Sequence, residues 1–385
     1  MWPNSHRGRL RHMKIVIIPN VFLPHYGGVV TATHNVCKNL ASDGHSVSVV
    51  VHHTSRELPP HESRDGYQVY RIRLSSRSLW SRCWVFPSAL VRMLFLFLSL
   101  RPDIVHVQIL HINTLYPLIL SYVLPYKLVL RAGGNDIHKF PVESRLMRTI
   151  LLWGFRRAHQ IQFNSRNLLE DAAPFLLKTR GEIVIVGDGA DPDELISGES
   201  HRRPSGRPYV FAAGRLEHKK GFDLLIDAFG EVRRRHPELE LVIAGDGEDM
   251  SSLHQRIAER DLSDSAFLIG SVGRRELATL FRGATLFVLP SRIEPVGIVT
   301  MEAMSTGRAV VATRVGGVPE IVEHGRSGWL VEPSARSLCD GMLRVLSDRD
   351  LMERMSQAGM QRVREHFTWR QITDQYLGAY ARIAS

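Results

Sequence analysis

The sequence predicts an α/β protein built from two doubly wound, Rossmann-like domains. Three observations carry that expectation. The chain of 385 residues is long for a single core. Short apolar runs alternate with helix-like segments along most of it, as they do in parallel sheets covered by helices. Midway, the alternation stops in a polar stretch rich in Gly, Pro and Ser and then begins again. A hydrophobic content of 44% with 23% charged residues is that of a globular chain.

In the first half, strands are expected at 14–20 (KIVIIPN), 46–52 (SVSVVVH), 103–108 (DIVHVQ), 127–133 (KLVLRAG), 160–164 (QIQFN) and 182–189 (EIVIVGDG). The stretch GADPDELISGESHRRPSGRP reads as the linker. After it come 209–214 (YVFAAG), 240–247 (ELVIAGDG), 266–270 (AFLIG), 285–291 (TLFVLPS), 309–313 (AVVAT) and 328–333 (GWLVEP). The expected organisation is a basic tail over 1–12, a first domain over 13–198, a second over 199–366, and a C-terminal helix over 367–385 packing back on the first. Two such domains facing across a cleft would bind ligands beyond the carboxyl ends of their strands.

The three cysteines, Cys37, Cys83 and Cys339, share no metal-like spacing and read as packing residues of a reducing compartment. The N-terminus is basic but leads into a strand rather than an apolar signal core, so secretion is not expected, and Met13 is a second candidate start. The formal charge of +10 is uneven, with 23 Lys and Arg against 14 Asp and Glu in residues 1–198 and 26 against 25 thereafter. No RNP-like motif, zinc finger or heptad run accompanies the basic half, which argues against nucleic acid. An anionic membrane surface or an acidic substrate remains.

Leu79 to Leu100 is strongly apolar but holds Arg82, Pro87 and Arg92, a poor transmembrane span. It reads either as a helix bedding in a membrane interface, with Trp84 and Phe86 toward lipid, or as a core helix of the first domain. The positive charge of the same half favours the membrane.

The chemistry-bearing residues lie mostly in the second half. GRLEHKKGFDLLIDAF (214–229) follows a strand and opens a helix. Lysines there sit at the disfavoured pole of the helix dipole unless an anion reverses the sign. Arg215 and Lys220, with Gly214 and Gly221 admitting close backbone approach, form either a pyrophosphate clamp or ordinary surface charge. PSRIEPVGIVTMEAMSTG (290–307) carries Glu294 in a loop and Glu302 in an early helical turn, where dipole and capping favour a carboxylate. Ionised carboxylates suit vicinal sugar hydroxyls. The alternative is one capping and one exposed glutamate.

Together, GRLEHKKG, the pair Glu294 and Glu302, TGRAVVATRVGGVPEIVEHGRSGWLVEP, HYGGVVTATHNVCKNLASDGHSVSVVV, RPDIVHVQ, VGDGAD, IAGDGED and the terminal FTWRQITDQYLGAYARI resemble glycosyltransferase family 4, over nearly the whole chain. The resemblance implies a GT-B architecture and a retaining, metal-independent hexosyltransferase with no cofactor beyond its nucleotide-sugar donor. It implies a catalytic set of Glu294, Arg215 and Lys220, the two cations holding the donor diphosphate. Glu302 would bind ribose hydroxyls and Glu294 those of the transferred sugar. The backbone of Gly297, Ile298 and Val299 would meet sugar and phosphate, and backbone around Gly245, Gly247, Gly270 and Val272 the base. Gly27 and Gly28 would let the first domain close over the phosphates.

This chain departs from the family pattern with Val296 for a common Phe, Ala309 for Pro, and Gly133 where many members carry a histidine. Asp136, His106, His111 and His138 are the candidates on the acceptor side. The expected partners are a nucleotide-sugar donor and a sugar or lipid-linked acceptor in cell-envelope polysaccharide or glycolipid synthesis, at a cytoplasmic and peripheral membrane location. The DPD at 191–193 reads as solvated loop, with no metal site. A nucleotide-sugar epimerase or a non-catalytic nucleotide-sugar-binding protein of the same fold are the rival readings. An NAD enzyme fails for want of G-x-G-x-x-G after the first strand.

Overall fold

A computed structural model of the protein describes residues 11–25, 27–52, 57–74, 79–191 and 206–384, with 79–84 described by their backbone alone. The chain forms two compact units, one reaching Gly187 and resuming at Trp369, the other Asp188–Thr368. Asp191 is described, but the rest of the DPD and most of the expected linker, with its 198/199 boundary, lie outside the described residues. The change of unit falls earlier, at Gly187, because Ala190 bridges Thr368 and its N–H donates to the Phe367 carbonyl at 2.8 Å.

The first unit holds an eight-stranded sheet of β1 (Lys14–Pro19), β2 (Ser46–His52), β3 (His61–Arg64), β4 (Tyr67–Ile72), β5 (Ile104–Gln108), β6 (Lys127–Ala132), β7 (Gln160–Phe163) and β8 (Glu182–Ile185). The order is β3-β4-β2-β1-β5-β6-β7-β8, and only β3 runs antiparallel to its neighbour. The buried strands are the continuous apolar runs expected of parallel pairing. The β3–β4 hairpin was not expected. Its signal was Asp65-Gly66, whose positive φ values of 46° and 85° suit a tight hairpin turn.

One face of this sheet is polar where β5, β6 and β7 meet. In register, His106 lies level with Val129 and Gln160, and Gln108 with Arg131 and Gln162. The C-terminal helix Trp369–Ala384 covers that face and supplies its partners. His106 Nδ1 is 2.6 Å from the Tyr380 hydroxyl, Gln160 donates to the Ala379 carbonyl at 2.8 Å, and Arg131 stacks over Tyr376 at 5.3 Å. Arg131 also donates to the carbonyls of Val186 and Gly187. Asn39 to Thr373 and Arg370 to Asp43 tie the same helix to helix Gly28–Ser42. Arg131 and Gln160 are tolerated here because they meet partners, while His106 Nε2, Gln108 Nε2 and Gln162 Oε1 are buried without one among the described residues.

Helix Leu79–Leu100 packs one face into the core of the first unit, as the second of its sequence readings expects. Ala89, Met93 and Phe97 are buried in the unit's core, Phe86 stacks on Tyr116 at 4.9 Å, and Phe97 meets Tyr126 edge-on. Phe86 therefore faces protein, not the outside as expected. The opposite face exposes Val91, Arg92, Phe95 and Leu98, with Phe95 66% exposed. The side chains of Arg82, Cys83 and Trp84 lie outside the described residues. Among the described residues no helix is long and apolar enough to cross a membrane.

The second unit holds a six-stranded, wholly parallel sheet: β9 (Tyr209–Ala213), β10 (Glu240–Ala244), β11 (Ala266–Leu268), β12 (Leu286–Leu289), β13 (Val310–Thr313) and β14 (Trp329–Val331). Its order is β11-β10-β9-β12-β13-β14. The direction of winding reverses between β9 and β12, so the loops leaving those two strands flank the natural ligand crevice. Val296 is buried in the core there, filling the place where the family commonly has Phe. Cys37 and Cys339 are buried free thiols, one in each unit.

Candidate functional site

The loops leaving β9 and β12 are sewn together by backbone and charge. After β9 the chain makes a short 3₁₀ turn, His218–Lys220, and Gly221 opens helix Phe222–Arg235 in the left-handed region at φ 68°. A Cβ on Gly221 would lie 2.1 Å from the Pro290 carbonyl oxygen, so only glycine admits this approach. The N–H groups of Arg292 and Ile293 donate to the Lys219 carbonyl at 2.8 and 3.1 Å. The Arg292 guanidinium bonds both oxygens of Asp223, at 2.7 and 2.6 Å, and the His218 carbonyl. Burial works to raise the Asp223 carboxyl, but the hydrogen bonds and charge of Arg292 outweigh it and hold the group below its ordinary range.

This stitching delivers Lys220 to Glu294, with Nζ 2.6 Å from Oε2. Ser291 donates to the same oxygen at 3.2 Å, and Glu294 is only 6% exposed. Its backbone is fixed from behind by Gly316 and Gly317. Gly317 N–H donates to the Glu294 carbonyl, and a Cβ on Gly316, at φ 52°, would lie 2.0 Å from that oxygen. Arg215, by contrast, is exposed and pairs with Glu217 at 2.9 Å, while Lys219 takes the other oxygen at 2.8 Å. Burial would raise the Glu217 carboxyl. The hydrogen bond from Lys219 and the charges of Lys219, Arg215 and Lys220 hold it below its ordinary range instead. Two of the expected catalytic residues thus share one ion pair, and the third sits on a neighbouring carboxylate absent from the expected set.

Gly297, left-handed at φ 88°, opens helix Ile298–Ser305 with no side chain capping it, so Ile298 and Val299 lead the helix with backbone N–H groups. Glu302 is the fifth residue of that helix, in its second turn. Its carboxylate pairs with Arg274, whose Nη1 lies 2.7 Å from Oε1, a partner the motif itself does not contain. Gly214, Gly245, Gly247, Gly270 and Val272 follow the carboxyl ends of β9, β10 and β11. Backbone bonds from Gly214 to Ala244, Gly245 to Gly270 and Leu216 to Asp246 hold these loops edge to edge.

The first unit's candidates separate into distinct roles. Gly27 precedes helix Gly28–Ser42 as its N-terminal cap. His106, expected on the acceptor side, lies under the C-terminal helix in the core. Asp136 is buried and accepts N–H groups of Leu110, Gly133 and Gly134, so it braces a loop rather than facing an acceptor. Burial pushes its carboxyl up against those bonds. His138 is exposed and pairs with Asp171 at 2.9 Å. Ile109 occupies the space beside Gly133, where a Cβ would come within 2.8 Å of its Cγ1. His111, just beyond β5, is buried with Nδ1 unpartnered among the described residues. Among the described residues no group of three or more His, Cys, Asp or Glu could hold a metal ion.

Sequence reasoning missed Glu217, Asp223, Ser291, Arg292 and Arg274. The charges of Arg292 and Arg274 were visible beside the quoted motifs, but their partners lie 69 and 28 residues away, which no local spacing connects.

Two parallel-sheet units, the second with cation and carboxylate paired at its strand ends, have the architecture of the GT-B class. The sucrose-phosphate synthase of Thermosynechococcus elongatus superposes with a TM-score of 0.80 at 18% identity, over 96% of this chain and 98% of that one. HepE of Anabaena, solved with UDP-glucose, gives 0.75 at 19%, over 96% and 99%. The chain belongs to glycosyltransferase family 4. The family described as Glycosyltransferase Family 4 matches residues 26–194, and that described as Glycosyl transferases group 1 matches 193–362. An uncharacterized glycosyltransferase of Methanocaldococcus jannaschii is 26% identical over 96% of this chain and 98% of its own length.

His111 yields a test of acid stability. Burial, and then the charge of nearby His52, lowers its imidazole from 6.5 to about 4. The unfolded chain therefore takes up this proton at higher pH than the native one. The stabilisation is complete above pH 6.5 and is lost as pH falls toward 4. The urea midpoint should fall across that window, and His111→Leu should flatten the fall by at most about 3 kcal/mol. An unchanged slope in the variant would refute this burial effect.

Proposed function

We propose that the protein transfers a sugar from a nucleotide diphosphate sugar to an acceptor hydroxyl with retention of anomeric configuration, without a metal or other cofactor. The observation that carries this reading is the Lys220–Glu294 pair at the winding reversal of the second unit. The ammonium stands where it can meet a departing diphosphate while the carboxylate accepts hydroxyls of the sugar. The uncapped start of helix Ile298–Ser305 offers N–H groups to the same phosphates. Glu302 takes the ribose. The UDP-glucose bound in HepE, a protein of the same fold, supports a nucleotide-sugar donor.

In this reading the acceptor oxygen attacks the anomeric carbon on the face from which the diphosphate leaves. The bond from that carbon to the phosphate oxygen breaks, the new glycosidic bond forms, and the departing phosphate takes the acceptor proton. Lys220, joined by Arg215, stabilises charge that grows on the leaving group, so its effect falls on the transition state. Lys220→Ala should lower turnover at least a hundred- to a thousand-fold. It also leaves Glu294 without its cation, so the variant's folding is checked by circular dichroism. Near-normal turnover in the folded variant would remove Lys220 from this role.

With side-chain cations on the leaving group, activity should survive excess EDTA. Complete loss that Mg²⁺ or Mn²⁺ restores would overturn the metal-independent reading.

The acceptor is proposed to be lipid-linked, in cell-envelope polysaccharide or glycolipid synthesis at the cytoplasmic membrane face. Among the described residues, every strongly exposed large apolar side chain except Ile293 belongs to the first unit. Residues 1–198 also carry nearly all of the net positive charge. Val91, Phe95 and Leu98, beside Arg92, give apolar contact and attraction to anionic headgroups together. The intact protein should float with vesicles containing anionic lipid, less so at high salt, and scarcely with neutral ones. Arg92→Glu with Phe95→Ser and Leu98→Ser should weaken flotation and leave nucleotide binding unchanged. Absence of flotation at low salt would favour a soluble acceptor.

A further inference from the structure

Arg274 begins helix Arg274–Gly283, immediately after the segment of Gly270 and Val272 that leaves β11. A cation at a helix N-terminus meets the positive end of the dipole, which costs a few tenths to about 1 kcal/mol. What it gains is Glu302, reached at 2.7 Å on a different helix, with the carboxylate buried and the guanidinium three-quarters buried. Glu302, in the second turn of its own helix, is thus met by a cation that a separate helix supplies.

We infer that Arg274 is the positioning residue that gives the donor site its selectivity for ribose over deoxyribose. The inference rests on the proposed function, in which Glu302 accepts the ribose hydroxyls. A carboxylate offers about four lone-pair sites, so a bond from Arg274 leaves capacity for hydroxyl donors. Arg274 pairs with the carboxylate as a guanidinium, and hydrogen bonds to a charged acceptor are the strong ones. It also couples two segments, since the pair bridges the stretch that follows Gly270 and Val272 and the helix carrying Glu302. Base and ribose are thereby read in a fixed relation. A nucleotide lacking the 2′-hydroxyl would leave the buried carboxylate short of a partner, and sites of that kind discriminate strongly.

The test is titration calorimetry of the full chain with UDP, GDP and ADP and with their 2′-deoxy counterparts. For whichever base binds, the wild type should prefer the ribonucleotide by about tenfold or more, the worth of a hydrogen bond to a charged group. Arg274→Ala should shrink that preference toward the ratio seen in Glu302→Ala, and Arg274→Lys should restore part of it. General destabilisation would weaken both nucleotides alike and leave the ratio as it was. Should Arg274→Ala not fold, Arg274→Gln, which keeps the bulk and removes the charge, is read in the same way. A wild-type ratio in a folded Arg274 variant, with the ratio lost in Glu302→Ala, overturns the inference and leaves the proposed function standing. Failure of the wild type to bind any of the three diphosphates overturns both.

Discussion

The second unit is organised around a constraint that electrostatics imposes on Lys220 and Glu294. Two opposite charges are held away from bulk water at 2.6 Å, in loops that leave different strands. Such a pair recovers its desolvation cost only if geometry is kept and the remaining hydrogen-bonding capacity is met. The surrounding residues do this. Gly221 lets the lysine loop touch the Pro290 carbonyl, and Gly316 lets the chain after β13 touch the Glu294 carbonyl. Arg292 clamps one loop to the other through Asp223 and His218. Neither glycine could carry a Cβ without parting the loops, so the pair and its supports stand or fall together.

A preformed pair also bears on chemistry. The ammonium is already oriented and neutralised by a carboxylate, so a ligand diphosphate would compete for it rather than meet a bare cation. Catalysis by preorganised charge requires that little be rearranged when charge develops. Arg215, paired with Glu217, is the more exposed of the two cations. The two basic residues, adjacent in one motif, are therefore differently prepared.

The first unit solves another problem, that of a sheet face polar where a core is usually apolar. His106, Arg131 and Gln160 could not be buried there against leucines. The C-terminal helix carries Tyr376 and Tyr380 and presents the carbonyl of Ala379 at matching positions. The last residues of the chain are thus required by strands laid down much earlier. The outward face of helix Leu79–Leu100 is the reverse case, with apolar side chains that the unit itself leaves uncovered.

Parallel strands are buried on both faces, so KIVIIP, SVSVVVH and TLFVLPS could be read as strands from local composition alone. The glycine and charge pattern around Lys220, Glu294 and Glu302 was equally legible, because each belongs to a short contiguous motif. Contacts across the fold were not. Glu302 meets Arg274, a partner outside its motif, and His106 and Asp136, plausible as site residues by position, are consumed by the core and by a loop. Sequence alone determined the continuous apolar strands, though not the β3–β4 hairpin, and which residues carry charge beside glycine, since those depend on neighbours a few positions away. Which charge meets which was decided only by the tertiary structure, because ion pairing follows distance in space, and residues 74 positions apart come within 2.6 Å only once the sheet has wound between them.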